Sequence, residues 1–439
     1  MTALTSTGEE PAAARTRCRV GVIGLGYAGL PQAVAFAELG HPVVGIDELP
    51  EVTATLRAGR SPVDTVHDDR VRRLGPALSA PDDPTALADC SALIVCVPTP
   101  LDAAGLPDLT ALRGACETVA AELRPGHLVV IESTVHPGVT DGVVKPILEG
   151  SGLIAGVHFS LAHAPERVDP GNPEFDSANT SRVVGGLTPV CARRTAELYR
   201  GVVSAVHVTG GLREAEATKI LENTYRQVNL GLVHEFARYC DALGIDVAAV
   251  IDAAATKPFG FQPFYPGIGV GGHCIPVDPM YLAHAAREAG TPLELVELAQ
   301  RINDERPRRV ADRCESALRT AGKQIDGAGI LILGVSYKPD VSDVRNTPVV
   351  PLIRELSARG AVIQTHDPSV LELVVDEVCH KSVPYLGTAV DRADLVVVAQ
   401  HHAAYVPELL GRAQLLYEGR GGERRTQDDP DTLSTRCAP

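Results

Sequence analysis

The sequence predicts an α/β fold in which two doubly wound sheets are joined by a long central helix and a helical middle domain. Three observations carry this prediction. Short apolar runs alternate with helical patterns in the first and last parts of the chain, as parallel α/β sheets require. Between them, residues 212–243 repeat apolar side chains at helical spacing without a proline. The length of 439 residues also suits two or three domains.

The first alternating region predicts a sheet with parallel strands. A buried strand is followed by a glycine-rich turn, by a helix over 30–39 and by Gly40, which is placed to end that helix. Most of the later strands close on polar residues, and the carboxyl ends of parallel strands meet in one crevice. The predicted strands are 18–23, 43–46, 92–97, 127–131 and 156–162.

The rest of the chain predicts a helical middle and a second Rossmann-like domain. The helix over 212–243 is interpreted as a spine between domains and as a dimer contact, followed by a loop at 257–272 and more helix to about residue 321. The second β/α series comprises a helix at 349–358 and strands at 329–334, 362–366 and 395–399. The predicted divisions are a disordered leader (1–16), a first Rossmann-like domain (17–210), a central helical domain (211–322) and a second Rossmann-like domain (323–439).

Composition narrows the function classes. The formal net charge is −15, so the basic surface of a general nucleic-acid binder is missing, and an anionic substrate would need a local cationic site. The sequence has no apolar run long enough to span a membrane and no signal-peptide pattern. Its ten cysteines contain no CxxC pair. We therefore expect reduced, mostly buried thiols in a cytoplasmic protein, without nucleic-acid or membrane partners and without a metal site.

A glycine-rich turn follows the first predicted strand. Gly24, Gly26 and Gly29 stand in the pattern GxGxxG, and Asp47 closes the next strand. Such glycines allow a tight turn and let a pyrophosphate approach the helix N-terminus. Asp47 can accept hydrogen bonds from a ribose 2′-hydroxyl, so the motif predicts NAD rather than NADP. The alternative interpretation is a plain turn beside an acidic surface residue.

A second glycine-rich segment, 267–272, runs directly into His273 and Cys274. Glycines at this density indicate a backbone that approaches a ligand closely. A cysteine immediately behind them is a candidate nucleophile. The alternatives are a thiol that fills the core and, for His273, a purely structural role.

Lys219 and Asn223 are four residues apart in the predicted long helix, so they share one face. A lysine in a desolvated cleft can have its pKa lowered toward neutrality, where it can act in catalysis. The pattern alone leaves a functional pair and two solvated surface residues equally open.

A polar loop at 334–348 is the last candidate. It follows a predicted strand and carries Lys338 and Arg345. Two cations at the carboxyl end of a strand suit phosphate or sugar oxygens. The alternative is an ordinary solvent-exposed loop.

Taken in order, these segments resemble the UDP-glucose/GDP-mannose dehydrogenase family. The resemblance runs from Val20 to about Gly419 and rests on eight strings in the family's order. They read GLGYAGLP, CVPTPL, ESTVHPG, PERVDPGN, EATKILENTYRQVNL, KPFGFQPFYPG, GGHCIPVDP and GVSYKPDVSDVRNTP. The strings HCIPVDP and KPFGFQPFYPG look closest to the branch that acts on UDP-N-acetylglucosamine or UDP-N-acetylmannosamine.

The resemblance implies a role for each matching residue. The implied catalytic residues are Cys274 as the nucleophile, Lys219 and Asn223 around the reacting oxygen, Asp278 ordering Lys219 and a water, and Thr134 and Glu166 positioning the hydrolytic water and the substrate. The implied NAD-binding residues are Gly24, Gly26, Tyr27, Gly29, Leu30, Asp47, Thr99, Ser133, Thr134 and Arg345. The implied UDP-sugar residues are Glu166, Arg167, Val168, Lys219, Asn223, Tyr265, Gly267, Gly269, Gly271, Tyr337 and Lys338.

The reaction implied by the resemblance is a four-electron oxidation of the sugar's C6 alcohol to a carboxylate with two NAD. An aldehyde has no second hydride to give until a nucleophile makes it tetrahedral, so the thiol forms a thiohemiacetal and then a thioester that water hydrolyses. The family also implies a homodimer. Val277 stands where members that act on UDP-glucose typically carry a lysine, which also favours the UDP-N-acetylhexosamine branch. The exact sugar stays open, because the sequence departs from the usual residues of that branch near the sugar at His163, Ile268 and Met280.

Three other functions stay open on the sequence. A UDP-glucose 6-dehydrogenase would differ only in the sugar. A single-oxidation β-hydroxyacid dehydrogenase of the same fold would not need Cys274 and would release one NADH per substrate rather than two. A non-catalytic NAD or nucleotide-sugar binding protein would have no reason to keep Lys219, Asn223, Cys274 and Asp278 together.

Overall fold

The computed structural model describes residues 17–168 and 179–419, together with the backbone of 422–424. The predicted leader at 1–16 and most of the polar tail lie outside the described residues. None of the helices in the described ranges is long and apolar enough to cross a lipid bilayer.

The chain divides into two compact units. The first comprises residues up to 99 together with 108–219, and the second comprises 100–107 together with 220–439. The predicted first Rossmann-like domain falls in the first unit, apart from the short segment 100–107. Most of the predicted helical middle and all of the predicted second Rossmann-like domain fall in the second unit.

The first unit is built on an eight-stranded sheet with the order β3-β2-β1-β4-β5-β6-β7-β8. Strands β1 to β6 are parallel, β7 is antiparallel to β6, and β8 is parallel to β7. The strands are β1 (Val20–Ile23), β2 (Val43–Ile46), β3 (Leu78–Ser79), β4 (Ala92–Val95), β5 (Leu128–Ile131), β6 (Ser160–His163), β7 (Arg182–Gly186) and β8 (Val206–Val208). The helices are α1 (Gly29–Glu38), α2 (Pro50–Arg57), α3 (Asp68–Leu74), α4 (Thr110–Glu122), α5 (Lys145–Glu149) and α6 (Pro189–Tyr199).

The central strands of this sheet are buried on both faces, which explains their continuous apolar sequences. All four residues of β4 are buried. Ile94 belongs to one apolar cluster, whereas its neighbours Leu93 and Val95 belong to another. Because successive side chains of a strand point to opposite faces, each cluster covers one face of the sheet.

Helix α7 (Leu212–Leu243) contributes to both units, and the second unit continues with helices and a smaller sheet. The sheet has the order β10-β9-β13-β14-β15, with only β15 antiparallel, and β11 and β12 form a separate hairpin. The further helices are α8 (Val247–Ala255), α9 (Asp278–Glu288), α10 (Glu294–Thr320), α11 (Val349–Ala358), α12 (Leu386–Arg392) and α13 (Pro407–Leu410). The strands are β9 (Gly329–Leu333), β10 (Val362–His366), β11 (Glu372–Val375), β12 (Val378–Lys381), β13 (Leu395–Val398), β14 (Leu416–Glu418) and β15 (Gly422–Arg424).

The predicted fold class is confirmed, while some predicted elements differ at their ends and others, such as α8 and the hairpin of β11 and β12, were not predicted. The helix predicted over 212–243 has the predicted bounds, but the strand predicted at 156–162 begins only at Ser160. Gly156, with φ +78°, forms a turn before that strand. The helix predicted to run on to residue 321 is two helices, because Gly290 at φ +73° ends α9.

Candidate active site

In the first sheet, the order of the strands reverses at β1, which lies between β2 and β4. In open α/β sheets, ligands bind beyond the carboxyl ends of the strands at such a switch point. The GxGxxG turn follows β1, and the segment that leads to Thr99 follows β4. The structure therefore places both sequence motifs at the position where a nucleotide is expected.

The three glycines of this turn meet three different requirements. Gly24 has φ +90°, and a Cβ there would lie 2.5 Å from the carbonyl oxygen of Cys96. A Cβ on Gly29 would lie 1.9 Å from the carbonyl oxygen of Gly24, so only glycine lets α1 start this close to the turn. A Cβ on Gly26 would meet no atom within 4 Å, so the open backbone face there can accept a pyrophosphate. The turn thus fits NAD.

The carboxylate of Asp47 is fixed at the end of β2. One oxygen accepts the backbone N–H of Leu25 at 2.8 Å, and the other accepts that of Leu49 at 3.0 Å. Each carboxylate oxygen has a further acceptor position, so Asp47 can still bind a ribose hydroxyl. Leu30 lies in the core and donates its N–H to Gly26, so it stabilises the turn from behind.

The ends of β4 and β5 are tied together by side chains predicted to contact NAD. The hydroxyl of Thr99 donates to the carbonyl oxygen of Thr134 at 2.8 Å. The hydroxyl of Ser133 accepts the N–H of Val97 at 2.9 Å. The structure therefore brings Thr99, Ser133 and Thr134 into one hydrogen-bonded group.

Glu166, after the end of β6, is held from several sides. One carboxylate oxygen accepts the N–H groups of Arg167 and Val168 at 2.8 and 2.9 Å, and the other accepts the guanidinium of Arg182 at 2.7 Å. Burial by itself would raise the pKa of Glu166, but the charge of Arg182 and these hydrogen bonds outweigh it and lower the pKa. Glu166 is therefore ionised, and Arg182 is a partner that the sequence motifs did not identify.

Lys219 lies near the same group. Its charge contributes to lowering the pKa of Glu166. The buried His163 has a pKa lowered to about 3, first because of burial and second because of the charge of Lys219. His163 is therefore neutral, and its Nδ1 has no hydrogen-bond partner in the described part of the chain.

In the second unit, Cys274 is exposed and lies four residues before α9. Its carbonyl oxygen accepts the N–H of Asp278 at 2.8 Å and that of Val277 at 3.2 Å, which fixes its backbone. The buried carboxylate of Asp278 accepts the side-chain amide of Asn223 at 2.6 Å. The structure thus joins two of the predicted catalytic residues, Asn223 and Asp278, directly.

The glycine-rich segment before Cys274 is anchored by residues that the sequence motifs missed. His234 accepts the N–H of Gly267 at 3.1 Å, and Arg306 donates to the carbonyl oxygen of Gly267 at 2.8 Å. Burial, and then the nearby charge of Arg306, lower the pKa of His234 to about 3, so the imidazole is neutral. Its Nδ1 then donates to Asn303 at 2.8 Å. Each of these anchors is one polar residue in a helix, which no local pattern singles out.

This segment packs against the loop at 334–348. A Cβ on Gly269 would lie 2.6 Å from Cβ of Pro348, and one on Gly271 would lie 2.8 Å from Cδ of the same proline. The glycines are therefore needed for close packing of two protein segments as well as for any ligand. Among the remaining predicted residues, the hydroxyl of Tyr265 donates to Asp252 at 2.6 Å, and the guanidinium of Arg345 contacts Asp343 at 2.6 Å. The ring of Tyr337 packs against Gly272, and Lys338, in the loop at 334–348, is half-buried.

The second sheet has its own switch point, because β9 lies between β10 and β13. Gly334 follows β9 with φ +83°, and a Cβ there would lie 2.6 Å from Cβ of Gln400. Asp367 follows β10 and accepts the N–H groups of Val335 and Ser336 at 2.8 and 3.1 Å. The carboxylate of Asp367 is fully buried and also contacts His402 at 3.2 Å.

Comparison with known proteins gives a consistent result over most of the chain. Residues 18–203 match the NAD binding domain of the UDP-glucose/GDP-mannose dehydrogenase family, 213–305 match its central domain, and 331–421 match its UDP binding domain. The UDP-N-acetyl-D-glucosamine 6-dehydrogenase of Pseudomonas aeruginosa is 39% identical over 80% of this chain and 82% of its own length. The UDP-N-acetyl-D-mannosamine dehydrogenase of Pyrococcus horikoshii is 36% identical over 88% and 90%.

Solved structures agree with these relatives. A UDP-D-ManNAc dehydrogenase from Pyrococcus horikoshii superposes with a TM-score of 0.84 at 35% identity, covering 92% of this chain and 95% of the other. A UDP-glucose dehydrogenase from Pyrobaculum islandicum gives a TM-score of 0.83 at 29% identity, covering 94% and 96%. The similarity therefore extends over the fold of nearly the whole chain.

Proposed function

The chain belongs to the UDP-glucose/GDP-mannose dehydrogenase family and is an NAD-dependent UDP-sugar dehydrogenase, and we propose that it oxidises C6 of UDP-N-acetylglucosamine or UDP-N-acetylmannosamine to the carboxylate. The proposal of these two substrates is supported by the relatives whose names give these sugars. The proposed chemistry depends on the exposed Cys274, whose backbone is fixed by hydrogen bonds from Val277 and Asp278 just before α9.

In this mechanism, Cys274 adds to the aldehyde formed by the first oxidation and gives a thiohemiacetal. The second oxidation converts it to a thioester, which water hydrolyses to the carboxylate and the free thiol. Bound NAD supplies the acceptor for one hydride in each oxidation. Covalent capture keeps the reactive aldehyde attached to the enzyme between the two steps.

Lys219 and Asn223 are proposed to stabilise the negative charge on the reacting oxygen. They lie one helical turn apart in α7. The hydrogen bond from Asn223 to Asp278 fixes the side-chain amide, and a preorganised donor stabilises an oxyanion at less cost than a mobile one. Thr134 and Glu166 are proposed to position the hydrolytic water.

The experiment that tests this function counts NADH released per sugar. UDP-GlcNAc, UDP-ManNAc, UDP-GalNAc, UDP-glucose and GDP-mannose are each offered in limiting amount, and we expect two NADH per molecule from one of the first two. Cys274→Ser should abolish formation of the carboxylate. Cys379→Ser is the matched control, because Cys379 is the other exposed cysteine among the described residues. One NADH per sugar, with full activity of Cys274→Ser, would support the single-oxidation alternative instead.

We also propose a homodimer formed through α7. Large apolar side chains remain exposed along this helix and recur at spacings of four and seven residues, as in a helix–helix seam. They are Leu221, Tyr225, Leu232, Tyr239 and Leu243, with 48–65% of each residue exposed. A second copy of the same helix, packed against this stripe, would bury them.

Light scattering of the purified protein tests the dimer. The wild type should have twice the mass of one chain, and the measured mass of Leu232→Glu should fall toward that of the monomer. Leu371→Glu is the matched control, since Leu371 is an exposed leucine outside α7. A monomeric wild type would refute the proposal.

The domain boundaries at 17–210, 211–322 and 323–439 and a location in the cytoplasm are further proposals. The cytoplasm is supported by the cysteines of the described residues, most of which are buried and none of which forms a disulfide.

A further inference from the structure

Arg182, at the start of β7, is a buried arginine between two glutamates. Its side chain is 3% exposed, and its guanidinium lies 2.7 Å from Glu166 and 3.7 Å from Glu132. It also donates to the side-chain oxygen of Gln32 at 2.8 Å and to the carbonyl oxygen of Pro165 at 3.3 Å. A planar guanidinium held at this many points has one orientation, so the position of its charge is fixed.

The hydrogen bonds of Glu166 leave it limited freedom. A carboxylate offers about four acceptor positions. Three are used by the N–H groups of Arg167 and Val168 and by the guanidinium of Arg182. About one position remains, and the side chain is 13% exposed, so Glu166 can accept one hydrogen bond from a water or a substrate.

Glu132, after β5, competes for the same guanidinium. Its side chain is fully buried, and it accepts hydrogen bonds from the hydroxyl of Tyr199 and, at 3.2 Å, from the thiol of Cys96. Burial raises the pKa of Glu132 even with Arg182 nearby. Because Arg182 lies closer to Glu166 than to Glu132, its positive charge stabilises mainly the carboxylate of Glu166.

We propose that Arg182 is the positioning residue for Glu166 in thioester hydrolysis: it keeps this carboxylate ionised and orients its remaining acceptor position for the attacking water. The inference rests on the proposed function and deepens it. In this step the water oxygen bonds to the thioester carbon, the carbon–sulfur bond breaks, one proton of the water returns to the thiol of Cys274, and the other is released with the carboxylate product.

Removal of the guanidinium has a definite consequence for Glu166. In the wild type, the charge of Arg182 outweighs the effect of burial; without it, burial would raise the pKa of Glu166 above its ordinary value. Hydrolysis would need a higher pH, because it depends on the ionised form. Besides each other, Glu166 and Arg182 interact with Glu132, Lys219, Arg167, Cys96 and Tyr199, and His163 in turn lies near Lys219. Only Arg182 forms an ion pair with Glu166 among the described residues.

Pre-steady-state kinetics of Arg182→Met test the proposal. We expect a burst of two NADH per enzyme at close to the wild-type rate, followed by a steady rate reduced by at least about tenfold. The thioester on Cys274 should accumulate and be detected by mass spectrometry of the quenched protein. The acidic limb of the steady rate should move up by about one pH unit or more, and Arg182→Lys should restore part of the activity.

Arg194→Met is the matched control. Arg194, in α6, also holds β6, but at the opposite end, through Ser160 at 2.9 Å. This variant should keep the wild-type pH profile and show no accumulated thioester. A parallel loss of burst and steady rate in Arg182→Met, or equal effects of both substitutions, would overturn the proposal.

A second measurement does not depend on turnover. The stabilities of wild type, Arg182→Met, Glu166→Gln and the double variant form a cycle, measured by urea denaturation at neutral pH. We expect the loss caused by Arg182→Met to become clearly smaller when Glu166 is already glutamine. Additive losses would refute the inference. A wild type that oxidises none of the sugars would refute the proposed function, while the cycle would still decide whether Arg182 holds Glu166.

Discussion

Replacing Gly26 and Gly29 by alanine, one at a time, separates nucleotide binding from folding in the first glycine-rich turn. Both glycines belong to the same motif, but they face different surroundings. A Cβ on Gly26 would meet no atom within 4 Å, whereas one on Gly29 would lie 1.9 Å from the backbone oxygen of Gly24. One substitution therefore projects a methyl group into the proposed nucleotide site, and the other drives it into the protein.

The magnitudes follow from these distances. Gly26 is not among the glycines with positive φ, so alanine should leave the free energy of unfolding unchanged or raise it by up to about 1 kcal/mol. The methyl group should crowd the pyrophosphate at a cost of about 1–3 kcal/mol, which weakens NAD binding about 5- to 150-fold. Alanine at Gly29 requires the turn and the helix to move apart, and we expect a loss of stability of about 3 kcal/mol or more.

Calorimetric titration with NAD and denaturation followed by circular dichroism measure the two quantities separately. Circular dichroism is suitable because the chain has no tryptophan. Gly26→Ala should be stable and bind NAD weakly, and Gly29→Ala should be destabilised before any ligand is added. The reasoning would be wrong if Gly26→Ala bound NAD like the wild type or lost as much stability as Gly29→Ala.

The remaining predictions concern buried polar groups. Glu216 accepts N–H groups from Gly138 and Thr140, and burial raises its pKa to about 7. A carboxyl group with a raised pKa stabilises the fold below its unfolded pKa and loses that contribution as the pH rises, so wild-type stability should fall by at most about 3 kcal/mol between pH 4.5 and pH 8. Glu216→Gln should flatten this slope in urea titrations, and an unchanged slope would contradict the assignment. His234→Ala should raise KM for the UDP-sugar about tenfold with little change in the Kd of NAD, because it frees the backbone of Gly267; equal weakening of both ligands would argue against a local effect. Asn223→Ala and Asp278→Ala should be coupled in a double-mutant cycle of unfolding by about 1–3 kcal/mol, and additive losses would show that their hydrogen bond contributes little.

The sequence was sufficient for the fold class because the signals are local. Periodicity defined α7, and continuous apolar runs defined the central strands of both sheets. The ends of elements were less certain, since apolar residues continue beyond them, as at Val97, which follows β4. Helix α8 was not predicted at all, because its nine alanine-rich residues carry little periodic pattern.

The candidate site was predicted where residues of one short motif act together, as in the turn from Gly24 to Gly29. The supporting residues were not, because they come from distant parts of the chain. Arg182 is 16 residues from Glu166, and Arg306 is 39 residues from Gly267. A lone arginine in a strand or a helix is usually a surface residue, and only the packing of the chain shows that these two are buried.

The two sheets repeat one construction and use it differently. Gly24 and Gly334 follow the first strand of each sheet, and Asp47 and Asp367 follow the second. The first acid is half-buried with acceptor positions to spare, but the second is enclosed by backbone N–H groups and His402. An engineer who wished to change cofactor preference would therefore mutate Asp47. The same mutation at Asp367, equivalent by position, would instead remove a support of the loop that follows Gly334.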